Sequence, residues 1–215
     1  MKISVVGLGF VGFPLYLTIL NSRVNNLSVI GVENDNSKGR RKIKKILNSN
    51  NKYFNNKELD KIFIKCKKKF QITENYIMAL DSDYVFICLP FNINQKLKTN
   101  EVAYLELLKK YYIGLKKGAT IILNSTIPPG YTSNILQKFK SLKIFRNDIN
   151  VVYSPERVEP GLNYYKSIVE TPRVFSSNGN KKISNKILNL FKSIFKINKT
   201  ELIELEKYEE AELCK

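Results

Sequence analysis

The sequence predicts an α/β domain with a doubly wound, mostly parallel sheet, and three observations predict it. The first is the stretch 1–33, where an apolar run (3–6) meets Gly7-x-Gly9-x-x-Gly12, then an apolar helical pattern, then a second apolar run (27–32) ending in Glu33. The second is the alternation of short apolar runs with helical patterns along the rest of the chain, the mark of repeated strand–helix–strand units. The third is the run 83–89, apolar throughout after Asp83 and stopped by Pro90, as expected of a strand covered on both faces in a parallel sheet.

Each part of the first stretch has a physical job. Gly7 allows a tight strand-to-helix turn, Gly9 lets backbone come close to a pyrophosphate, and Gly12 lets the helix sit against the sheet while its N-terminal N–H groups face the anion. Glu33 lies 21 residues after Gly12, where a carboxylate can accept hydrogen bonds from both hydroxyls of an adenine ribose. A glycine-rich turn alone can serve packing. Strand, turn, helix, strand and acid together form the context of a Rossmann-like dinucleotide site. An acid at that position repels a 2′-phosphate, which favours NAD over NADP.

Continuing along the chain, residues 38–47 place Ile43, Ile46 and Leu47 at helical spacing beneath a cationic face. Residues 48–56 read as polar loop, 57–65 as a short helix with Leu59, Ile62 and Phe63 inward, 70–73 as a short strand and 74–80 as a brief helix. After the 83–89 strand, residues 100–115 carry Val102, Leu105, Leu107 and Leu108 on a helical stripe, and 119–123 is the next buried strand. It leads into hydroxyl-rich NSTIPPGYT (124–132), where Thr126 falls beyond a strand end, the place where ligands gather in such sheets; a helix cap followed by prolines explains part of the same pattern. A helix (131–139) and a strand (149–153) then open into YSPERVEPG (153–161), whose prolines and glycine stiffen a loop carrying Glu156, Arg157 and Glu159. Residues 171–176 suit a final strand, with Pro172 placing it at an edge or at its start, residues 181–195 suit a helix, and the acidic segment 201–215 is helix-prone.

Composition narrows the function classes. At 215 residues, one large α/β domain with an appendage is expected. No apolar run approaches the ~18 residues of a membrane span, and Met1 leads straight into a strand, so a soluble cytoplasmic chain is expected. Cys66, Cys88 and Cys214 are widely spaced and suggest neither a disulfide framework nor a metal site; Cys88, in an apolar run, reads as core. With no histidine, acid–base chemistry falls to carboxylates, lysines, hydroxyls or water. The net charge of +17 raises nucleic acid as a partner, and residues 38–69 hold 13 basic against 2 acidic residues. Lysine far outnumbers arginine, however, while asparagine and isoleucine are abundant, a bias of AT-rich coding. No nucleic-acid reader motif accompanies the charge.

Three signatures stand in order: GLGFVGFPL (7–15), NSTIPPGYT (124–132) and YSPERVEPG (153–161). With ETPRV (170–174) and EEAELCK (209–215), they make the chain resemble the NAD-dependent nucleotide-sugar 6-dehydrogenases, which oxidise UDP-glucose or UDP-N-acetylhexosamines to uronic acids. The resemblance implies a Rossmann-like NAD-binding domain over 1–200 and the start of a long central connecting helix over 201–215, with the C-terminal UDP-binding domain absent. It implies that Gly7, Gly9, Phe10, Val11, Gly12 and Glu33 hold NAD, that Lys38 contacts it, and that Thr126 lies near the nicotinamide to position water or relay a proton. Glu156 would assist substrate binding and thioester hydrolysis, with Arg157 and Val158 beside the substrate. Phe91 stands where the family usually has threonine, removing one hydroxyl from the cofactor site. The family's nucleophilic cysteine sits in a GGxC-type motif beyond the central helix; no such motif occurs here, and Cys214 is not its equivalent. The implied partners are a UDP-sugar substrate, a C-terminal domain or subunit and, in the full-length form, a second copy in a homodimer. PER rather than PEF leans toward an N-acetylated hexosamine. Two other readings stand beside this one, a non-catalytic dinucleotide-binding subunit or remnant and a basic nucleic-acid binder.

Overall fold

The computed structural model describes residues 1–50, 53–91, 101–158, 161, 164–197 and 201–214. Glu159 and Pro160 of the PER loop, Asn100 and Lys215 lie outside the described residues. The strands are β1 (Lys2–Val6), β2 (Ser28–Val32), β3 (Ile72–Thr73), β4 (Tyr84–Ile87), β5 (Thr120–Leu123), β6 (Asn150–Tyr153), β7 (Arg173–Ser176) and β8 (Leu202–Leu205). The helices are α1 (Gly12–Leu20), α2 (Ser37–Asn48), α3 (Lys57–Cys66), α4 (Glu101–Gly114), α5 (Tyr131–Ser141), α6 (Tyr164–Glu170), α7 (Lys181–Ile194) and α8 (Tyr208–Leu213). They form an eight-stranded sheet in the order β3-β2-β1-β4-β5-β6-β7-β8. All neighbouring pairs are parallel except β6–β7, so the predicted doubly wound, mostly parallel sheet is what the chain builds.

Strand alternation divides the core in two. Ile3, Val5 and Phe86 face one cluster with Phe13, Leu17, Phe63 and Phe191, whereas Val6, Val85 and Ile87 face another with Tyr104, Leu108, Tyr111 and Phe139. Helix α1 buries every residue from Gly12 to Ile19, because the sheet lies on one side and α3 and α6 on others. Helix α2 has only Gly39, Ile43 and Ile46 buried, so its lysines and arginines form a solvated face. Among the described residues, no helix is long and apolar enough to cross a membrane.

Several local expectations are corrected. The buried face of α4 is Tyr104, Leu108, Tyr111 and Tyr112, and Val102 is 77% exposed. Large aromatic area at i, i+4, i+7 and i+8 outcompetes the aliphatic stripe read from the sequence. Leu47 faces solvent on α2. Residues 76–79 form a 3₁₀ turn (Tyr76–Ala79) rather than an α-helix. Helix α6 was not anticipated; at 7 residues it is too short for its pattern (Tyr164, Tyr165, Ile168, Val169) to stand out. Part of the acidic, helix-prone segment 201–215 is a strand. In β8, Leu202, Ile203 and Leu205 pair along β7 from Arg173 to Ser176, while Glu204 accepts from the Ser184 hydroxyl, so ladder bonds override the helix preference of its glutamates. The sheet therefore runs past residue 200, and helix begins at Tyr208.

Candidate functional site

The glycine turn joins β1 to α1 at the C-terminal end of the strand. Gly7 has φ +87°, a left-handed conformation, and its N–H donates to Val32 O at 2.8 Å. A Cβ on Gly12 would stand 1.9 Å from Gly7 O, so this position admits no side chain. A Cβ on Gly9 would meet nothing within 4 Å, which leaves the backbone open to solvent. Helix α1 starts without a side-chain cap at Val11, and among the described residues the N–H groups of Gly9, Phe10 and Val11 have no acceptor. Open space and uncommitted donors at one turn suit an anionic group such as a pyrophosphate.

Glu33 follows β2 and reaches back to this turn. Its Oε2 accepts from Leu8 N at 3.1 Å and from Lys42 Nζ at 2.7 Å, and its Oε1 accepts from Asn34 N at 3.1 Å. The residue is 6% exposed. Lys38 is exposed on the first turn of α2, so Lys42, one turn on, is the lysine the structure brings to the acid.

Two cavities flank the turn, and Gly9 and Phe10 line both. One, of about 570 Å³, is walled by Lys42, Tyr53, Phe54 and Tyr164. Asp60 on α3 shapes that wall by accepting from Tyr53 N at 2.9 Å and Phe54 N at 2.8 Å. Tyr164 stacks on Phe10 with ring centroids 4.6 Å apart and donates its hydroxyl to Phe10 O, so α6 pins the exposed tip of the turn. The other cavity, of about 310 Å³, extends from Gly9–Val11 to Cys88–Phe91 and Asn124–Thr126, at the C-terminal ends of β1, β4 and β5. Thr126 is exposed there, whereas Asn124 is buried and donates to Ser154 O at 2.6 Å, tying the end of β5 to that of β6. Phe91 packs edge-on to Tyr104 and Tyr131 and gives this cavity an aromatic wall. Cys88 borders it with its thiol 3.9 Å from Asn124 Oδ1. Burial pushes the Cys66 thiol above its ordinary value despite Lys69 and Lys65 nearby, so it is a packing residue.

Glu156, Arg157 and Val158 follow the same end of the sheet with different surroundings. Continuing the register that pairs Tyr153 with Ser176, Glu156 stands opposite Arg173, and the two side chains form a bidentate pair at 2.8 and 3.0 Å. Both are almost fully buried, and the guanidinium also donates to Ile168 O at 2.7 Å and lies 3.5 Å over the Phe195 ring. The carboxylate read from the sequence as catalytic is thus engaged by Arg173 and does not line either cavity. Arg157 is exposed and donates to Pro172 O, and Val158 packs on the core.

Sequence reasoning missed Lys42, Tyr164, Arg173 and Glu212. Glu212 on α8 is buried, and its carboxylate accepts from Gly130 N, from Thr132 N at 2.9 Å and from the Thr132 hydroxyl. It supplies the cap that α5 lacks locally, because the N-cap is Gly130 at φ +80° with no side chain. Nothing in EEAELCK by itself marks this glutamate as inward-facing; it is buried because α8 docks against α5.

A family model described as the UDP-glucose/GDP-mannose dehydrogenase family, NAD binding domain, matches residues 1–196. The chain belongs to that family. Its cofactor is NAD, and the open glycine turn fits that group. The UDP-glucose 6-dehydrogenase of Campylobacter jejuni is 31% identical over 169 residues, covering 78% of this chain and 39% of the relative. The UDP-N-acetyl-D-mannosamine dehydrogenase of Methanocaldococcus jannaschii is 30% identical over an alignment covering all of this chain and 46% of the relative. Among solved structures, an NDP-N-acetyl-D-galactosaminuronic acid dehydrogenase from Methanosarcina mazei superposes with a TM-score of 0.84 at 22% identity, covering 100% of this chain and 46% of the other, and shares the fold. This dehydrogenase-family chain therefore spans less than half the length of these relatives.

Proposed function

We propose that the chain is the NAD-binding portion of a nucleotide-sugar 6-dehydrogenase, which oxidises C6 of a UDP-hexose or UDP-N-acetylhexosamine to a carboxylate in two steps. The observation that carries this reading is the pair of cavities meeting at Gly9 and Phe10, one walled by Lys42, Tyr53 and Phe54 and the other reaching Thr126. The first has the aromatic and polar walls that suit an adenosine, and the second lies where a nicotinamide and a sugar would meet. NAD, when bound, supplies the hydride acceptor.

In this reading the uncommitted N–H groups of Gly9, Phe10 and Val11 hold the pyrophosphate, and Glu33 accepts from the adenosine ribose. Thr126 positions water or passes a proton at the reacting carbon. Glu156 acts through the loop it anchors: its pair with Arg173 sets the segment from which Arg157 and Val158 reach the sugar. The thiol nucleophile and the UDP anchor come from a further domain or subunit, since Cys66 and Cys88 are buried and Cys214 lines neither cavity.

The test is titration of the chain with NAD, followed by NADH formation with UDP-glucose, UDP-N-acetylglucosamine and UDP-N-acetylmannosamine, alone and with a candidate C-terminal partner. Binding of NAD with turnover only in the partner's presence supports the proposal. Sustained turnover by the chain alone would overturn the division of labour, and failure to bind NAD would overturn the reading altogether. Turnover absent even with the partner would favour a non-catalytic dinucleotide-binding subunit.

A further inference from the structure

The glycine turn has one carbonyl that its own helix cannot hold. Gly9 O accepts from Phe13 N at 3.1 Å and Val11 O from Leu15 N at 3.2 Å, the ordinary bonds of a helix start. Phe10 O stands between them, and the residue four positions on is Pro14, which has no N–H to give. The Tyr164 hydroxyl supplies the donor instead, from a ring stacked on Phe10 at 4.6 Å. Burial pushes that hydroxyl above its ordinary value, so it stays protonated and donating through the neutral range. Fixing this oxygen fixes the group on the other side of the same peptide. The C=O of Phe10 and the N–H of Val11 point in opposite directions across a trans peptide plane, and the described peptides are all trans. Tyr164 lines the larger cavity and not the smaller, whereas Val11 lines the smaller and not the larger. With the oxygen turned to Tyr164, the Val11 N–H, which has no acceptor among the described residues, faces the smaller cavity.

We propose that Tyr164 is a positioning residue for the cofactor: its hydroxyl holds the Phe10–Val11 peptide so that the Val11 N–H donates to the pyrophosphate on its nicotinamide side. The inference rests on the dinucleotide reading of the site. Without the hydroxyl the peptide plane is free to turn, because the Phe10 oxygen has no other donor among the described residues and Gly9 before it opposes no rotation with a side chain. Tyr165, the next residue on α6, is placed differently. It lines a separate cavity between the ends of α1 and α7, with Asn21, Arg23 and Lys192.

The experiment is amide NMR of the chain isotope-labelled at valine nitrogen, together with calorimetric titration by NAD and by ADP-ribose, for the parent, Tyr164→Phe and Tyr165→Phe. Saturation with NAD should move the Val11 amide proton downfield in the parent and in Tyr165→Phe. In Tyr164→Phe that movement should shrink by about half or more, and affinity for NAD and for ADP-ribose should fall together by about tenfold, the scale of one hydrogen bond to a charged group. ADP-ribose keeps the pyrophosphate and lacks the nicotinamide, so a loss confined to NAD would overturn the inference. An undiminished Val11 shift in Tyr164→Phe would overturn it too, as would equal losses in Tyr164→Phe and Tyr165→Phe. A parent whose Val11 amide does not move when NAD binds would overturn it without recourse to any variant. A parent that binds neither ligand would instead strike at the dinucleotide reading. Phenylalanine keeps the ring stacked on Phe10, so thermal unfolding of Tyr164→Phe should stay within a few degrees of the parent.

Discussion

Replacing Glu212 with glutamine tests whether α8 holds the start of α5, and with it the loop that carries Thr126. The carboxylate takes three donors, Gly130 N, Thr132 N and the Thr132 hydroxyl. Glutamine keeps the shape but one of its two terminal atoms becomes a donor, so at least one buried N–H at the helix start loses its acceptor. That loss costs about 1–3 kcal/mol. Removing the negative charge from a buried helix N-terminus adds up to about 2 kcal/mol. The sum is about 1–5 kcal/mol, and with a urea dependence of about 3 kcal/mol/M the unfolding midpoint should fall by about 0.3–1.7 M. The assay is urea denaturation followed by circular dichroism for the parent, Glu212→Gln, Thr132→Val and the double variant. The cycle should give a coupling of at least about 0.5 kcal/mol, because the two side chains are in contact. A midpoint change below about 0.2 M with an unchanged slope would refute the idea that Glu212 caps α5.

Gly9 and Gly12 should respond in opposite ways to alanine. Gly12→Ala forces a Cβ to 1.9 Å from Gly7 O and should unfold or severely destabilise the chain, whereas Gly9→Ala meets nothing and should keep the parent's melting temperature while weakening NAD binding at least about tenfold. A destabilised Gly9→Ala would count against the steric account. Arg173→Met should cost about 3–5 kcal/mol by taking the guanidinium away from the buried Glu156 carboxylate, and Glu156→Leu combined with Arg173→Met should recover much of that stability; a double variant no better than the single would argue against it. Burial pushes the hydroxyls of Tyr16, Tyr104, Tyr111, Tyr153 and Tyr208 well above the ordinary tyrosine value. As pH rises through about 10, only the unfolded chain releases these protons, so stability should fall on the alkaline side and be unaffected by them below it. Tyrosinate absorbance should then appear in one step together with loss of helical signal. Ionisation of most of the 12 tyrosines near pH 10 in a chain that stays folded would contradict the burial.

What was legible in the sequence was what depends on neighbours in the chain. The glycine turn is specified within six residues, and the steric limits at Gly7 and Gly12 are set by atoms of the same turn and of Cys88 and Leu89 just after β4. Strands such as 84–87 and 120–123 announced themselves by continuous apolar runs. The pairing of Glu156 with Arg173 was hidden because it depends on the antiparallel register of β6 and β7, which no local pattern states. Glu212 was hidden because its partner, Thr132, is 80 residues away, and a glutamate on an acidic helix reads as surface until its docking site is known. Lys42 was passed over for Lys38 because side-chain reach across a helix turn decides which lysine meets Glu33, and several lysines on α2 share the same spacing to within a turn. In α4 the aliphatic residues attracted the reading, while the tyrosines, amphipathic by composition, carried the burial.

The attachment of β8 and α8 bears on how this chain can be cut. A fragment ending at residue 200 would strip β8 from β7, laying bare a row of backbone donors and acceptors along four residues that are buried in the intact sheet. It would also take away the Tyr208 hydroxyl, which donates to Val151 O, and the carboxylate at the start of α5. A strand edge laid bare in this way invites pairing with another copy, so such a fragment should self-associate more readily than the longer chain. Any shorter version intended for crystallisation or for fusion to a partner should therefore retain residues through Leu213, and a hinge, if one is to be engineered, belongs after that helix turn rather than before the last strand.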